Sequence, residues 1–336
     1  MIAIPVAQFN ERARELIPGV SVSLVVAAAA TFLSEHYGAP VMLFALLLGL
    51  ALNFLASEGQ CKAGIEFTAR TVLRLGVCLL GMRITLEQIA GLGWKPLALV
   101  VILVVLTILL SVLAAKALGF QRLFGMLTGG ATAICGASAA LALAAALPNH
   151  PQKERATLFT VIGVSALSTL AMILYPMIAQ WAALSPEVAG VFLGATIHDV
   201  AQVVGAGYSM SPETGDTATV VKLMRVAMLL PVIVVAAMIT RMQGAETGGK
   251  RPPLLPWFAV GFLILACINS TGWVPSLVQG GINELSRWCL VVSIAALGMK
   301  TQLKELATVG IKPILLMIGE TLFLAVLVLA LLHWCW

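Results

Sequence analysis

The sequence predicts an all-α, polytopic membrane protein, and two observations predict it: the composition and the recurrence of long apolar runs. Of 336 residues, 60% are hydrophobic and only 10% are charged, whereas ordinary globular domains carry roughly a quarter charged residues. Apolar runs of about 20 residues recur along the chain, and each is long enough to cross a hydrocarbon core of roughly 30 Å as a helix. A β-barrel would need short alternating segments, and these runs do not alternate. Residues 1–336 are therefore predicted to form a single integral membrane domain.

About eleven segments qualify as transmembrane helices. They cover residues 17–34, 40–56, 62–82, 96–117, 123–147, 155–181, 186–207, 216–240, 255–272, 281–300 and 312–334. Tryptophans lie at or just beyond the predicted ends, where an amphipathic ring favours the headgroup level; they are Trp94, Trp181, Trp257, Trp273, Trp334 and Trp336. Residues 1–16 are predicted to be a surface amphipathic lead-in, because no small-residue cleavage site follows a short apolar core. Residues 242–254 are predicted to be a polar cytoplasmic linker.

The net charge of +5 is spread over the predicted loops and forms no nucleic-acid footprint, so it is interpreted as a signal for membrane orientation. With the N-terminus inside, the cytoplasmic side collects Arg12, Arg14, Lys62, Lys116, Arg122, Arg241, Lys250, Arg251, Lys300, Lys304 and Lys312. The other side keeps mainly Arg83, Lys95, Lys153 and Arg155. This asymmetry predicts a cytoplasmic N-terminus and an outside C-terminus. The six cysteines form no CxxC pair and predict neither a disulfide framework nor a metal site.

An internal repeat is visible in the chain. LGMRITLEQIAGLGWKP (Leu80–Pro96) and LGMKTQLKELATVGIKP (Leu297–Pro313) share Leu-Gly-Met, a basic residue and Lys-Pro in register. The two copies begin an odd number of predicted spans apart, which places them in opposite orientations. Opposite orientation is the mark of the inverted repeats from which secondary transporters are built.

Two polar segments share Gly-Ala-Thr: GATAICGASAA (Gly130–Ala140) and GATIHDVAQVV (Gly194–Val204). Polar groups at mid-span depth are costly unless they face protein or water, and broken helices are the usual solution. We therefore expect one cavity lined by Thr128, Thr132, Cys135, Ser138, Thr196, His198, Asp199 and Gln202. Alternatively, the small and hydroxyl residues simply pack helices closely. On the predicted spans the two segments run parallel, in conflict with the inverted repeat, unless one segment is re-entrant or the span count is off by one.

Three basic residues lie inside predicted spans. Arg74 is the last of four charged residues spaced four positions apart, after Lys62, Glu66 and Arg70. This spacing places all four on the same face of a helix. Lys222 and Arg225 share a face in the span after the His-Asp segment, although Lys222 could instead snorkel to the interface.

The expected role of the arginines is either an ion pair or binding of an anionic substrate, since guanidinium binds oxyanions in bidentate fashion. The candidate pairing partners are Asp199, Glu66 and Glu320. Glu320 is isolated in an apolar helix and is a candidate proton carrier.

GATIHDVAQVVGAG (Gly194–Gly207), followed by KLMRVAMLLP and preceded by CGASAA, resembles the YeiH-like family of bacterial inner-membrane proteins. Sulfate export is assigned to that family by inference, and the family is grouped with bile acid, arsenite and riboflavin transporters. The resemblance implies a panel bundle and a core bundle, with two broken helices crossing in the core. Members of the wider superfamily often carry an acidic or Gln-Asn pattern suited to sodium in the second segment, whereas this chain has His-Asp-Val-Ala-Gln.

We therefore expect a multi-pass bacterial inner-membrane secondary transporter that exports a small anion such as sulfate, sulfite or a related oxyanion. Arg74, Lys222 and Arg225 would supply charge, while His198, Asp199 and Glu320 would form a proton relay. The expected partners are the anion, the lipid bilayer and a second copy in a homodimer; no nucleic acid, cofactor, metal or catalytic residue is expected.

Three alternatives stay open: a cation/proton antiporter using Asp199, a non-transporting scaffold, and an intramembrane enzyme. The sequence carries no HExxH, GxSxG or DDxxD pattern for an enzyme and no GxxxxGK[ST] pattern for ATP binding.

Overall fold

A computed structural model describes residues 6–57, 59–148, 152–242, 256–301 and 310–335 of the chain, and these residues are almost entirely helical. Six helical segments among them are long and apolar enough to cross a membrane. These are Arg14–Tyr37, Lys95–Ala117, Lys153–Trp181, Pro212–Thr240, Ser276–Lys300 and Ile311–Trp334. The chain forms two compact units, residues 1–88 with 257–301 and residues 89–256 with 302–336. The all-helical membrane class predicted from the sequence is confirmed.

The first unit is built from helices of unequal length. They are α1 (Val6–Tyr37), α2 (Val41–Ala51), α3 (Phe54–Ser57), α4 (Lys62–Phe67), α5 (Leu73–Leu79), α15 (Trp257–Ser270) and α16 (Ser276–Lys300), and α6 (Leu86–Gly91) follows at the boundary of the unit. From Val6 onward, the backbone of the predicted surface lead-in is the first part of α1. A π-helical turn, Thr68–Val72, separates α4 from α5 within the predicted span 62–82.

Glycines let helices of the first unit approach closely. A Cβ atom on Gly49 of α2 would lie 2.3 Å from the carbonyl oxygen of Ala295, and one on Gly298 of α16 would lie 2.4 Å from that of Leu46. Such small-residue contacts are typical of membrane helices, where close backbone packing replaces the hydrophobic effect.

The predicted charged stripe at Lys62–Arg74 forms a surface ion pair. Arg70 Nη1 lies 3.0 Å from Glu66 Oε1, and Lys300 Nζ lies 3.5 Å from the same oxygen. Glu66 therefore forms ion pairs with two basic residues of the first unit.

The second unit contains α7–α14 and α17. Their bounds are α7 (Lys95–Ala117), α8 (Arg122–Ala133), α9 (Ala137–Ala146), α10 (Lys153–Trp181), α11 (Pro186–Thr196), α12 (Val200–Met210), α13 (Pro212–Ala227), α14 (Leu229–Met242) and α17 (Ile311–Cys335). The two Gly-Ala-Thr segments are broken, as predicted: one between α8 and α9, the other between α11 and α12.

Helices α8 and α9 form a re-entrant hairpin, called here the first hairpin. Phe124 near the start of α8 and Leu147 just beyond the end of α9 line the same cavity. A Cβ atom on Gly130 would lie 2.3 Å from Cδ1 of Leu143, thirteen positions along the chain. The chain reverses at Ile134–Gly136, where Gly136 adopts φ +63°, a left-handed conformation that favours glycine. The predicted span 123–147 therefore returns to the end from which it started.

Helices α11 and α12 form the second hairpin. The Thr214 hydroxyl at the start of α13 donates to the carbonyl of Pro186 at the start of α11, at 3.0 Å. A Cβ atom on Gly207, near the end of α12, would lie 2.8 Å from Gly215 Cα. The start of α11 and the end of α12 thus meet at the same end of α13. The predicted span 186–207 is also a hairpin, reversing through extended backbone at Ile197 and Asp199.

The two hairpins enter the second unit from opposite ends. Lys153, at the start of α10, lines the cavity at the base of the first hairpin, while α10 ends at Trp181, just before α11. Pro313, near the start of α17, lines that cavity too, and further along α17 Glu320 contacts Ser111 of α7. Helices α7 and α17 therefore run in opposite directions.

Because of the hairpins, some charged residues of the second unit lie at a different end from the one predicted. One end, called the basic end, carries Lys116, Arg122, Lys153, Arg155 and Lys312. The opposite end carries Lys95, Glu187 and Glu213. Lys153 and Arg155, predicted to lie opposite Lys116, are on the same end, because residues 122–146 fold back instead of crossing. The predicted linker 242–254 and residues 302–309 of the second repeat copy lie outside the described residues, apart from Met242.

This topology predicts the pattern of thiol labelling in a chain whose native cysteines are replaced by serine. Lys116→Cys and Glu154→Cys should react with a membrane-impermeant maleimide from the same side, and Glu187→Cys from the opposite side. All three positions have exposed side chains. Comparing intact cells with inverted vesicles measures this, and reaction of Lys116→Cys and Glu154→Cys from opposite sides would contradict the first hairpin.

Candidate functional site

The tips of the two hairpins meet inside the second unit. The first tip is Ile134–Gly136 and the second tip is Ile197–Asp199. A Cβ atom on Gly136 would lie 3.5 Å from His198 Cβ. Each break ends one helix and starts another, so carbonyl groups of α8 and α11 lose their helical partners at the tips. Both tips, together with Lys222, Arg225 and the residues that contact them, are called here the tip cluster.

Arg225 of α13 binds both hairpins through backbone carbonyls. Its Nε and one terminal nitrogen donate to Ala133 at 2.9 Å and Thr132 at 2.8 Å in the first hairpin. The other terminal nitrogen donates to Gly194 at 3.2 Å and Ile197 at 3.1 Å in the second hairpin. The side chain is fully buried. A planar guanidinium with five donors is suited to holding several carbonyls at once.

Lys222, one turn before Arg225, makes the same kind of bridge. Its Nζ donates to the carbonyl of Ile134 at 2.7 Å and to that of Ile197 at 3.0 Å. The side chain is fully buried, so it does not snorkel to the interface. Cations at helix C-termini interact favourably with the helix dipole. Lys222 and Arg225 therefore stabilise the ends of α8 and α11 and place two basic groups between the tips.

His198 joins the second tip to the first hairpin and to α17. Its Nδ1 lies 3.1 Å from the carbonyl oxygen of Thr132, and its Nε2 lies 3.0 Å from Thr321 Oγ1. Because a carbonyl can only accept, Nδ1 carries the hydrogen in this bond. Both ring nitrogens of this fully buried residue have protein partners.

Asp199 caps the N-terminus of α12. Its Oδ1 accepts from the backbone N–H of Ala201 at 2.8 Å, while its own N–H donates to Ser168 of α10 at 3.0 Å. Gln202 donates from Nε2 to Thr169 at 2.8 Å. Its buried Oε1 has no hydrogen-bond partner within the described part of the chain. That oxygen is an open acceptor in the tip cluster.

Among the residues that the structure describes, accessible side chains of the tip cluster lie at the N-terminal turns of α9 and α12. Ser138 is exposed and Asp199 is half-buried. The other predicted lining residues are buried: Thr128, Thr132, Cys135, Thr196, His198 and Gln202. Thr196 donates to the carbonyl of Phe192 in its own helix, at 2.6 Å. The open face thus presents the positive ends of two helix dipoles.

Glu320 of α17 lies behind the first tip and is surrounded by hydroxyl groups. Its Oε1 contacts Ser111 Oγ and lies 2.7 Å from Thr128 Oγ1, and its Oε2 lies 3.0 Å from Thr132 Oγ1. The residue is 2% exposed. No basic side chain lies within ion-pairing distance of it in the described ranges, so the predicted pair with an arginine is not formed.

Arg74, predicted to supply charge to the anion site, belongs to the first unit. It lies on α5 in the first unit and its side chain is exposed.

Sequence reasoning missed four hydroxyl residues that support the cluster: Ser111, Ser168, Thr169 and Thr321. A lone hydroxyl in an apolar helix is a weak signal, because it can satisfy itself on its own preceding turn.

Comparisons with known proteins point to one family. A family model described as conserved hypothetical protein 698 matches residues 18–317. A UPF0324 membrane protein of Chlorobaculum tepidum is 57% identical over 94% of this chain and 89% of the relative. The UPF0324 membrane protein TauZ of Paracoccus denitrificans is 56% identical over 94% of both chains. A UPF0324 membrane protein of Rhizobium meliloti is 53% identical over 93% of this chain and 91% of the relative.

Proposed function

The chain belongs to the conserved hypothetical protein 698 family, and from that premise and the geometry of the tip cluster we propose that it is a secondary transporter of a small anion. The membership confirms the family resemblance carried by Gly194–Gly207. The observation that carries the proposal is the pair of buried basic side chains, Lys222 and Arg225, between two re-entrant tips. Intramembrane charge marks a substrate or ion pathway by default.

The site proposed for the anion is the open face at the start of α9. Gly136 precedes α9 and offers no side-chain cap, so the first N–H groups of α9 have no capping acceptor from that residue. Asp199, in contrast, caps α12. Free backbone N–H groups at a helix start, next to two basic groups, favour a compact oxyanion. Sulfate, sulfite and organosulfonate-derived anions have this chemistry.

The proposed orientation follows from the basic end of the second unit. Basic residues accumulate on the cytoplasmic side of membrane proteins, so the basic end is assigned to the cytoplasm. Helix α7 then starts outside. Three predicted spans precede α7, so this start agrees with the predicted cytoplasmic N-terminus in a bacterial inner membrane. Moving one negative charge out of a cell whose interior is negative is favourable by about 2.3 kcal/mol per 100 mV. Export is therefore the proposed direction.

The directions of two helices that follow the predicted repeat support the transporter proposal. Helices α7 and α17 follow the two copies of the Leu-Gly-Met repeat and run in opposite directions. The hairpins likewise enter from opposite ends and bring two helix breaks together. Broken helices that meet at one site between inverted halves are the architecture of alternating-access transporters.

The alternative, a cation/proton antiporter that uses Asp199, has less support. A cation at Asp199 would lie beside the N-terminus of α12 and close to the tips held by Lys222 and Arg225. Both features repel positive charge.

Protection from thiol labelling tests the proposed site. In the chain with native cysteines replaced by serine, Ser138→Cys should react with a negatively charged thiol reagent, and sulfate should slow that reaction. Glu154→Cys, exposed at the basic end, is the matched control whose reaction rate sulfate should not change. Equal rates for Ser138→Cys with and without sulfate, sulfite or an organosulfonate would exclude this face as the anion site.

A further inference from the structure

We propose that Glu320 binds the proton whose movement is coupled to anion transport, and that it passes its protonation state to the first tip through Thr132. This inference rests on the proposed transport function and adds the coupling site to it.

The surroundings of Glu320 suit a carboxyl group that changes protonation state. Its hydrogen-bond partners in the described part of the chain are the hydroxyls of Ser111, Thr128 and Thr132, and none of them is charged. A buried carboxylate without a cationic partner is costly, whereas a neutral carboxyl with hydrogen bonds is accommodated easily. A structural glutamate at this depth would be expected to face a lysine or an arginine.

The hydroxyl network can serve both protonation states. Ser111 Oγ also lies 2.7 Å from the carbonyl oxygen of Gly125, and Thr128 Oγ1 lies 3.1 Å from that of Phe124. When Glu320 is protonated, it can donate to one of these hydroxyls, which then donates to its carbonyl. When Glu320 is ionised, the same hydroxyls can rotate and donate to the carboxylate. Rotation of these hydroxyl groups therefore keeps the carboxyl group hydrogen-bonded in both protonation states.

Thr132 connects this carboxyl to the anion site. Its hydroxyl contacts Glu320 Oε2, and its carbonyl accepts from Arg225 and lies within hydrogen-bond distance of His198. The next residue of α17, Thr321, contacts His198 of the second tip. A change at Glu320 is therefore transmitted to residues that hold both tips together.

The other elements packed on α17 bring no further ionisable side chain to this carboxyl in the described part of the chain. Helix α7 supplies Ser111, and α8 supplies Thr128 and Thr132. Charged residues of α10 and α11 lie in their first turns, at Lys153, Glu154, Arg155 and Glu187. The predicted proton relay consists of His198, Asp199 and Glu320. Asp199 caps α12 and His198 bridges the two hairpins, so both have structural roles. Glu320 is therefore assigned the proton.

The substitution Glu320→Gln tests the proposal, because glutamine mimics the neutral carboxyl in shape and hydrogen bonding. In liposomes with the membrane potential clamped at zero, a pH gradient of one unit should change the equilibrium distribution of labelled sulfate about tenfold for one coupled proton. Glu320→Gln should still exchange sulfate at equal pH but show no response to the gradient. Glu154→Gln, an exposed glutamate, is the matched control and should respond like the native chain. A full gradient response in Glu320→Gln would overturn the proposal.

Infrared spectroscopy separates this inference from the transport proposal. A pH titration of the purified protein should show the carbonyl band of a buried protonated carboxyl that disappears on ionisation and is missing in Glu320→Gln. If the native protein moves no sulfate but shows this band, the anion assignment fails while the proton site stands. If the band is the same in Glu320→Gln, the proton site fails whatever the anion.

Discussion

Replacing Arg225 by alanine is expected to abolish anion transport and to destabilise the second unit. The substitution removes four hydrogen bonds that join carbonyls of both hairpins and leaves those carbonyls without their cation. Leaving a buried acceptor without its hydrogen-bond partner costs about 1–3 kcal/mol for each group. Arg225→Lys keeps the charge but loses the planar fork, so an intermediate loss is expected. Thermal unfolding in detergent and sulfate efflux from liposomes measure the two effects.

Arg287→Ala is the control for Arg225→Ala. Arg287 lies in the first unit, 3.6 Å from Glu284 in an exposed ion pair, and such pairs contribute about 1 kcal/mol or less. Its removal should leave both unfolding and transport near native. An Arg225→Ala variant with native stability and native efflux would show that the second unit holds its tips together without this residue.

Gly194→Leu is expected to prevent correct assembly of the second hairpin. A Cβ atom at this position would lie 2.5 Å from the carbonyl oxygen of Ala218 and 2.9 Å from Val221 Cβ. The first of these is a backbone atom of α13, so α11 and α13 would have to separate. That separation would pull the second tip away from Lys222 and Arg225. The expected result is a strong loss of monodisperse protein on size-exclusion chromatography in detergent.

Gly319→Leu makes the same change where there is room for it. Gly319 lies in α17 of the same unit, and a Cβ atom there would meet nothing within 4 Å. This variant should be recovered in native amount. Equal recovery of Gly194→Leu and Gly319→Leu would mean that α11 does not pack against α13 as closely as described.

The helices could be predicted from the sequence, but the hairpins could not. Residues 123–147 and 186–207 are each about as long as one crossing, so hydropathy alone cannot distinguish a crossing from two short helices that fold back. One feature of the sequence does indicate the hairpins. The Leu-Gly-Met repeat predicts copies in opposite orientations, whereas the predicted spans give the two Gly-Ala-Thr segments the same orientation. The hairpins remove this conflict. They are established by contacts between residues far apart in sequence, Gly130 with Leu143 and Pro186 with Thr214.

The polar residues of the tips could be named from the sequence, but their tasks could not. Lys222 and Arg225 stood out as basic residues in an apolar span, and either a substrate or an ion pair was expected. Their partners are instead backbone carbonyls, which carry no sequence signal because every residue has one. Ser111 and Thr321 were missed for the related reason that a hydroxyl in a helix is ambiguous until its neighbours are known.

Efflux of labelled sulfate from liposomes tests the central claim most directly. The native chain should release sulfate faster than protein-free liposomes, and Arg225→Ala should release it at the protein-free rate while Arg287→Ala releases it at the native rate. Sulfite and an organosulfonate, measured in the same way, cover the rest of the proposed anion class. No protein-dependent efflux of any of these anions, together with a pH-driven cation flux that Asp199→Asn abolishes, would contradict the account and establish the cation/proton antiporter.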